Sequence, residues 1–459
     1  MQSMSSKFLN FLLLLAFSLF LLAFLNHLIA SSPPTSTSLF PNEALPTKIG
    51  YLSVNPSDYS SAMFYAFYEA QNPTSPVSQT PLIIWLQGGP SCSSMFGNFF
   101  ELGPWRVTSR KGRLETFVLE PNPGSWNRIF GLLFLDNPIG SGFSIASATE
   151  KIPRDQLSVA EHLFAAITSF IELEPSRPLY FAGESYARKY VPAIGYYILK
   201  ANANLPVSQR VNLGGVAIGN GLTDPMTQVA THTANAYHSG LINERQKREL
   251  EKAQREAVKL TKMGKWKEAT DARTQVLLML QRMTGLATLH DFSKKVPYET
   301  EMVFAFLKKE EVKKALGVKE SMANDVCNDD VAAALHDDFM KSVKFMDEFL
   351  LKESRVLLYQ GQFDMRDSVV SIEAWVKTMV WEGLSQFLIT ERKVWRVNNG
   401  LAGYVQKWGN LSHVVVLGAR HLVPSDQALN SQAMIEDWVW ERGLFGYEEE
   451  VSSVFSLFD

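Results

Sequence analysis

The sequence predicts an α/β protein, a mostly parallel sheet flanked by helices, with a helical insertion over the sheet's carboxyl edge. Three observations lead there. Short, nearly continuous apolar runs recur, Pro81-Leu-Ile-Ile-Trp-Leu86 and Leu132-Leu-Phe-Leu135 among them, which is the pattern of strands covered on both faces. Amphipathic helical stretches such as 155–173 alternate with these runs, and that alternation implies parallel neighbours. Most of the apolar runs also end directly in glycine-rich or polar turns, where an open α/β sheet gathers its reactive groups.

The bulk properties are those of a globular chain. With 459 residues, 46% of them hydrophobic, the protein buries a full core and exceeds the length of one typical domain. A formal net charge of −3 with both signs interspersed gives no support for nucleic-acid binding. At the N-terminus Lys7 precedes an apolar run over 8–25, then His27 and the small residues Ala30-Ser31-Ser32. This is the pattern of a secretory leader over 1–30, cleaved near Ala30, leaving no stable membrane association; an uncleaved anchor is the alternative. A Pro/Ser/Thr-rich segment, 31–38, follows. The destination is the secretory pathway, either outside the cell or in a vacuole or lysosome. The chain has two cysteines, Cys92 and Cys327, an even count that suits one disulfide in an oxidising compartment, although spacing alone does not establish the pairing. Asn410-Leu-Ser412 is a glycosylation acceptor motif for the same compartment.

In chain order, Ala62-Met-Phe-Tyr-Ala-Phe-Tyr68 is a strand, and 81–86 is a second, running into Gln87-Gly-Gly-Pro-Ser-Cys-Ser-Ser94. Two glycines after a buried strand leave backbone N–H groups uncovered, which suits one donor of an oxyanion hole. The strand at 132–135 feeds Asp136-Asn-Pro-Ile-Gly-Ser-Gly-Phe-Ser144. Pro178-Leu-Tyr-Phe-Ala-Gly-Glu-Ser-Tyr-Ala187 is then a strand, a tight turn and a helix start, a nucleophile elbow with Ser185 at its tip. The oxyanion donors are accordingly the N–H groups of Gly89 and Tyr186. After a strand at 211–218, the chain turns helical and charged over 226–345, the expected insertion between two parts of the core, 31–225 and 346–459; its charge run is a solvated helix face. The sheet resumes at Arg355-Val-Leu-Leu-Tyr-Gln-Gly361 with Asp364 just beyond it, and His421 follows the strand His413-Val-Val-Val-Leu-Gly418. Of the eight histidines, His413 and His421 alone come after Asp364, and His413 stands at the wrong end of its strand. Ser185, Asp364 and His421 thus occur in the chain order of the α/β-hydrolase triad.

At this point the chain resembles the serine carboxypeptidases and serine carboxypeptidase-like proteins, an α/β-hydrolase group. The similarity extends from about Gly50 to Phe445. Its motifs are Trp85-Leu-Gln-Gly-Gly-Pro-Ser-Cys-Ser-Ser94, Glu101-Leu-Gly-Pro104, Ser125-Trp-Asn127, 136–144, Gly183-Glu-Ser-Tyr-Ala187, Tyr190-Val-Pro192, Gly219-Asn-Gly221 and His421-Leu-Val-Pro424. The resemblance implies Ser185 as nucleophile, His421 as base and acid and Asp364 as the orienting carboxylate. It implies a substrate-carboxylate site at Gln87, Gly88, Glu101 and Glu184, a Cys92–Cys327 disulfide, peptide or protein C-termini as substrates, and no cofactor or metal. Glu101 and Glu184 hold a substrate carboxylate only while they keep a proton, which predicts activity in acid. Acyltransferase relatives and an inactive peptide-binding member are the alternatives; Glu184 favours hydrolysis, since acyltransferase relatives tend to have Asp there. Four positions depart from the family pattern: Gln87 stands for Asn, and Ser91, Arg188 and Arg420 stand for Gly. Either Arg188 crowds the site or places a cation near His421, or Arg188 and Arg420 both point outward.

Overall fold

The computed structural model describes residues 36–55, 60–109, 117–171, 177–319 and 326–446; the leader and cleavage point expected from the sequence lie outside them. Ten strands form one sheet. They are β1 (Lys48–Ser53), β2 (Ala62–Tyr68), β3 (Leu82–Leu86), β6 (Gly131–Leu135), β7 (Leu179–Glu184), β8 (Leu213–Gly219), β9 (Arg355–Gly361), β10 (Lys393–Val397), β11 (Gly400–Trp408) and β12 (Leu411–Val416); β4 (Trp105–Ser109) and β5 (Phe117–Pro121) pair separately as a hairpin. The order across the sheet is β1-β2-β6-β3-β7-β8-β9-β12-β11-β10. The strands from β6 to β12 are mutually parallel, and antiparallel strands close both edges.

The central strands are buried along their whole length because both faces are covered. Successive residues of β3 divide between two cores: Ile83 and Trp85 enter one, Leu82, Ile84 and Leu86 the other. β7 divides the same way, with Tyr180 and Ala182 against Leu179 and Phe181. A period of two on a sheet clothed on both sides requires apolar residues at every position, which is why these strands show no polar alternation.

The longer helices are α1 (Gln156–Ile171), α2 (Ala187–Asn202), α3 (Glu244–Lys262), α4 (Trp266–Thr284), α5 (Lys344–Glu353), α6 (Val369–Val376) and α7 (Ala428–Val439). None of those described is long and apolar enough to cross a membrane. Between β8 and β9 the described residues add no strand to the sheet. This region carries its own apolar cluster, built from Leu250, Ala257, Ala269, Val276, Leu280 and Leu289 among others, and it takes in Met365 from the loop after β9. In α3 the buried residues Leu250, Gln254, Ala257 and Thr261 recur at helical spacing. The charges of α3 face solvent, with Arg248–Glu244, Arg245–Glu249 and Arg255–Glu251 paired one turn apart. A disulfide joins Cys92, after β3, to Cys327 across 235 residues of sequence. Hydrogen bonds from Ser93 N to Val326 O and from Asn328 N to Ser91 O flank it.

Candidate active site

β7 ends at Glu184, and Ser185 then takes a left-handed backbone with φ 59° before α2 begins at Ala187. A non-glycine residue holds that conformation only where its surroundings over-determine it. Here Gly88 lies against the turn, and a Cβ on it would stand 2.7 Å from Tyr186 N and 2.8 Å from Ser185 Cβ, so the β3 loop and the elbow touch only because this residue is glycine. Gly89, at φ 125°, turns the loop away. Asp136, beyond β6, holds the same loop: its Oδ1 accepts from Ser93 Oγ and Ser94 N, both at 2.7 Å. Neither Gly89 N–H nor Tyr186 N–H donates to an acceptor among the described residues, which suits the two groups to an external oxyanion.

His421 Nδ1 lies 2.6 Å from Asp364 Oδ2. That bond fixes the ring and turns Nε2 away from the carboxylate. Asp364 is held in turn: Oδ2 also accepts from Asn220 Nδ2 at 2.8 Å, and Oδ1 accepts from Arg366 N at 2.9 Å and Asp367 N at 3.1 Å. Burial alone would lower the His421 pKa, but the Asp364 carboxylate outweighs it and raises the imidazole above its usual 6.5. Asp364, Asp367 and His421 approach one another closely enough to ligate a metal, but the Asp364 oxygens are engaged by four protein donors, and hydrogen bonding accounts for the cluster. Ser185 and His421 share one cavity of about 310 Å³ with Gln87, Gly88, Gly89 and Tyr298.

Glu101 and Glu184 are fully buried and act on each other electrostatically, and Glu101 Oε2 and both Glu184 oxygens lack a donor among the described residues, so the pair favours keeping a proton. Burial pushes Glu101 up to about 7 and, with Glu101 beside it, raises Glu184 well above the ordinary carboxyl range. Gln87 reaches this pair: its Nε2 donates to Glu101 Oε1 at 3.1 Å, and its Oε1 accepts from Trp85 Nε1 at 2.9 Å. The extra methylene relative to Asn fits because Gly97 leaves the space; a Cβ there would stand 2.6 Å from Gln87 Oε1. Asn410 lies half-buried in the turn between β11 and β12, its Nδ2 donating to Leu351 O.

The two arginines overturn both expectations held for them. Arg188 is fully buried and lines no part of the catalytic cavity. Its guanidinium lies over Trp375, 4.9 Å from the ring centroid, donates to Gly221 O at 3.2 Å and faces Asp347 and Asp367. A cation next to the elbow helix packs inward here against an indole face and the Gly221 carbonyl, with Asp347 and Asp367 acting on it at longer range. Arg420 does not point outward either. It bonds Asp426 through Nε at 2.8 Å and Asp291 through Nη1 at 3.2 Å, and stacks 4.0 Å from the Tyr298 ring centroid.

Sequence reasoning missed four contributors. Asn220 was visible in Gly219-Asn-Gly221 at a strand's carboxyl end, but without a role; it bridges Asp364 and Gly361 N. His290, from the insertion, stacks on His421 with ring centroids 4.3 Å apart, and its carbonyl accepts from His421 N at 3.1 Å. Arg366 Nη1 lies 3.0 Å from His290 Nε2, and burial with the neighbouring cations drives the His290 pKa well down, so the ring is neutral and Nε2 accepts. Tyr298 donates to Asp426 and accepts from Leu422 N. No short motif marks 288–298; that segment acquires its role only through the tertiary contacts of Leu289 O with Met365 N and Arg366 N and of Phe292 N with Phe363 O.

The serine carboxypeptidase family model matches residues 39–441. Serine carboxypeptidase-like 50 of Arabidopsis thaliana is 57% identical over 435 residues, 94% of this chain and 96% of that protein. A probable serine carboxypeptidase CPVL of Dictyostelium discoideum is 33% identical, covering 86% of this chain and 78% of its own. Among solved structures, Kex1(delta)p, a prohormone-processing carboxypeptidase from Saccharomyces cerevisiae, superposes with a TM-score of 0.76 at 24% identity over 91% of this chain and 96% of its own; that likeness speaks to the α/β-hydrolase fold. The chain belongs to the serine carboxypeptidase family and is a serine-type hydrolase of that class.

Proposed function

We propose that the protein removes C-terminal residues from peptides through an acyl-enzyme on Ser185. In this reading His421 Nε2 takes the Ser185 proton as Oγ attacks the scissile carbonyl, and Asp364 steadies the imidazolium that forms. The N–H groups of Gly89 and Tyr186 receive the oxyanion. His421 then protonates the leaving amine, and water repeats the sequence on the ester. Gln87, the Gly88 backbone and the Glu101–Glu184 pair hold the substrate's terminal carboxylate, the carboxyls acting as donors while they retain a proton.

The observation that carries the reading is the placement of that proton-holding pair. Glu184 immediately precedes the candidate nucleophile, and Gln87 links Glu101 to the same cavity as Ser185. A hydrolase acting on neutral esters has no use for two carboxyls kept neutral at that position. Their titration also refines the pH expected from sequence. Activity needs neutral His421, whose pKa is raised, and a protonated carboxyl, with Glu101 at about 7. Deprotonation of His421 sets the acid limb and ionisation of Glu101 sets the alkaline limb. The Cys92–Cys327 bridge supports an oxidising destination, extracellular or vacuolar, and Asn410 is its candidate glycan acceptor.

A fluorophosphonate probe tests the nucleophile. The expected result is a single adduct on Ser185, with Ser185→Ala folded, unlabelled and inactive on blocked dipeptides. An adduct elsewhere, or dipeptide cleavage surviving in Ser185→Ala, contradicts the reading.

A further inference from the structure

A second cavity, of about 410 Å³, adjoins the catalytic one, and the two meet at Gly89, Thr288, His290 and Arg366. The insertion supplies most of its wall, including Arg273 of α4 and Phe339, and no carboxylate lines it. If a peptide's terminal carboxylate sits at Gln87 and its scissile carbonyl at Gly89, the leaving residue occupies the catalytic cavity among Phe96, Tyr298 and Phe304. The acyl residue must then extend past Gly89 to the other side, where the second cavity opens.

Arg273 is 3% exposed, yet its Nε has no hydrogen-bond partner among the described residues. Its nearest carboxylate oxygen is Asp367 Oδ1, 3.9 Å from Nη2, beyond hydrogen-bond reach. Phe339 backs the guanidinium at 5.2 Å from its ring centroid. Arg366 stands in the same position: Nε lies 3.8 Å from Asp367 Oδ2 and is likewise unpartnered, while Nη1 is spent on His290. Two cations therefore share one carboxylate at long range. The other nearby acid, Asp364, is engaged by four donors. His232 and His290 are kept neutral by burial. At the rim His336 sits between Asp271 and Asp337 at 3.1 and 3.3 Å, and both of those acids are solvent-exposed and screened.

We propose that this cavity receives the acyl residue of the substrate and that Arg273 and Arg366 select an anionic side chain there, so that the preferred peptides have Glu or Asp as the penultimate residue. The inference rests on the carboxypeptidase reading and adds a substrate class to it. A charged acceptor in the cavity gives the two guanidiniums the close countercharge that Asp367, at 3.9 and 3.8 Å, does not; a neutral amide of the same shape gives them less, and a lysine is repelled.

The test compares three blocked dipeptides with a common C-terminal leucine and Glu, Gln or Lys before it, at pH 7 and low salt. The account expects kcat/KM for Glu to exceed that for Gln by about tenfold, the scale of one charge-assisted bond, with Lys below both. The Glu-to-Gln ratio survives Arg273→Lys and collapses towards one in Arg273→Gln or, should that variant not fold, in Arg366→Gln. Equal rates for Glu and Gln in the wild type overturn it. Calorimetry with N-benzoyl-glutamate and N-benzoyl-glutamine separates the two claims: absence of cleavage of all three peptides removes the peptidase reading, while tighter glutamate binding still supports the cationic subsite and equal binding removes it.

Discussion

The floor and the roof of the cleft are built on different terms. The floor consists of strand ends: Ser185, Asp364, Asn220 and the Gly88-Gly89 turn each follow a buried parallel strand, and hydrogen bonds across adjacent strand ends hold them. The roof is a helical segment with an apolar cluster of its own, and it meets the floor through the contacts at 288–298, Met365 and the disulfide, through Phe306, Leu316 and Val331 packed into the sheet's two cores, and through Asp338 bonded to Tyr186 and Lys189. Position on the floor is set by the sheet, so chemistry is fixed there; position in the roof is set by local packing, so selectivity is free to change without disturbing the triad.

Substitutions that act on one part and not the other sharpen this contrast. The largest expected effect is at the seam. Replacing both cysteines, Cys92→Ser with Cys327→Ser, removes a native bridge of the kind that contributes about 2–5 kcal/mol, and should lower Tm clearly while the surviving folded fraction keeps its kcat. Calorimetry with active-site titration reads both, and an unchanged Tm would mean that the roof holds to the floor without the bridge. Next comes the floor itself. Asn220→Ala strips a donor from the Asp364 carboxylate and orphans Gly361 N–H; losing a bond to a charged group, worth about 1.5–3 kcal/mol, should cut kcat/KM roughly tenfold to a hundredfold with little change in KM. An effect confined to KM would place Asn220 in substrate binding instead. The smallest is in the roof: His290→Ala removes a ring stacked on His421, an aromatic pair worth about 0.5–1.5 kcal/mol, so kcat/KM should fall by up to about tenfold. A loss as deep as that of Ser185→Ala would show that floor and roof form one catalytic unit.

What could be read from the sequence follows the same division. The floor was legible because strand ends carry local signatures: a buried apolar run, a glycine turn, then a reactive side chain. Ser185, Asp364 and His421 each stand in such a place. The roof was not, because Arg273, His290 and Tyr298 lie on or after helices whose sequence shows only amphipathic spacing, and they reach the cleft through tertiary contacts between residues far apart in the chain. Arg188 failed for a related reason. Its neighbours, Trp375 and Asp347, come from α6 and α5, more than 150 residues away in sequence, so a buried cation beside the elbow had no visible partners.

The central claim is that a buried, proton-sharing carboxyl pair makes this site a receptor for a free C-terminus. Glu101, raised from its ordinary 4.5 to about 7 by burial, is the first of the pair to ionise. Below that pH the pair is neutral towards a substrate carboxylate, and above it the pair keeps a proton on Glu184 but carries a negative charge that repels the substrate, so binding weakens as pH rises through 7. The direct measurement is kcat/KM from pH 4 to 9 for two dipeptides differing only in a C-terminal acid or amide. Both should share the rising limb set by His421 losing its proton, and the acid alone should fall again above about 7. Coincident profiles for the two substrates, or an amide that declines with the acid, would contradict the carboxyl-pair account.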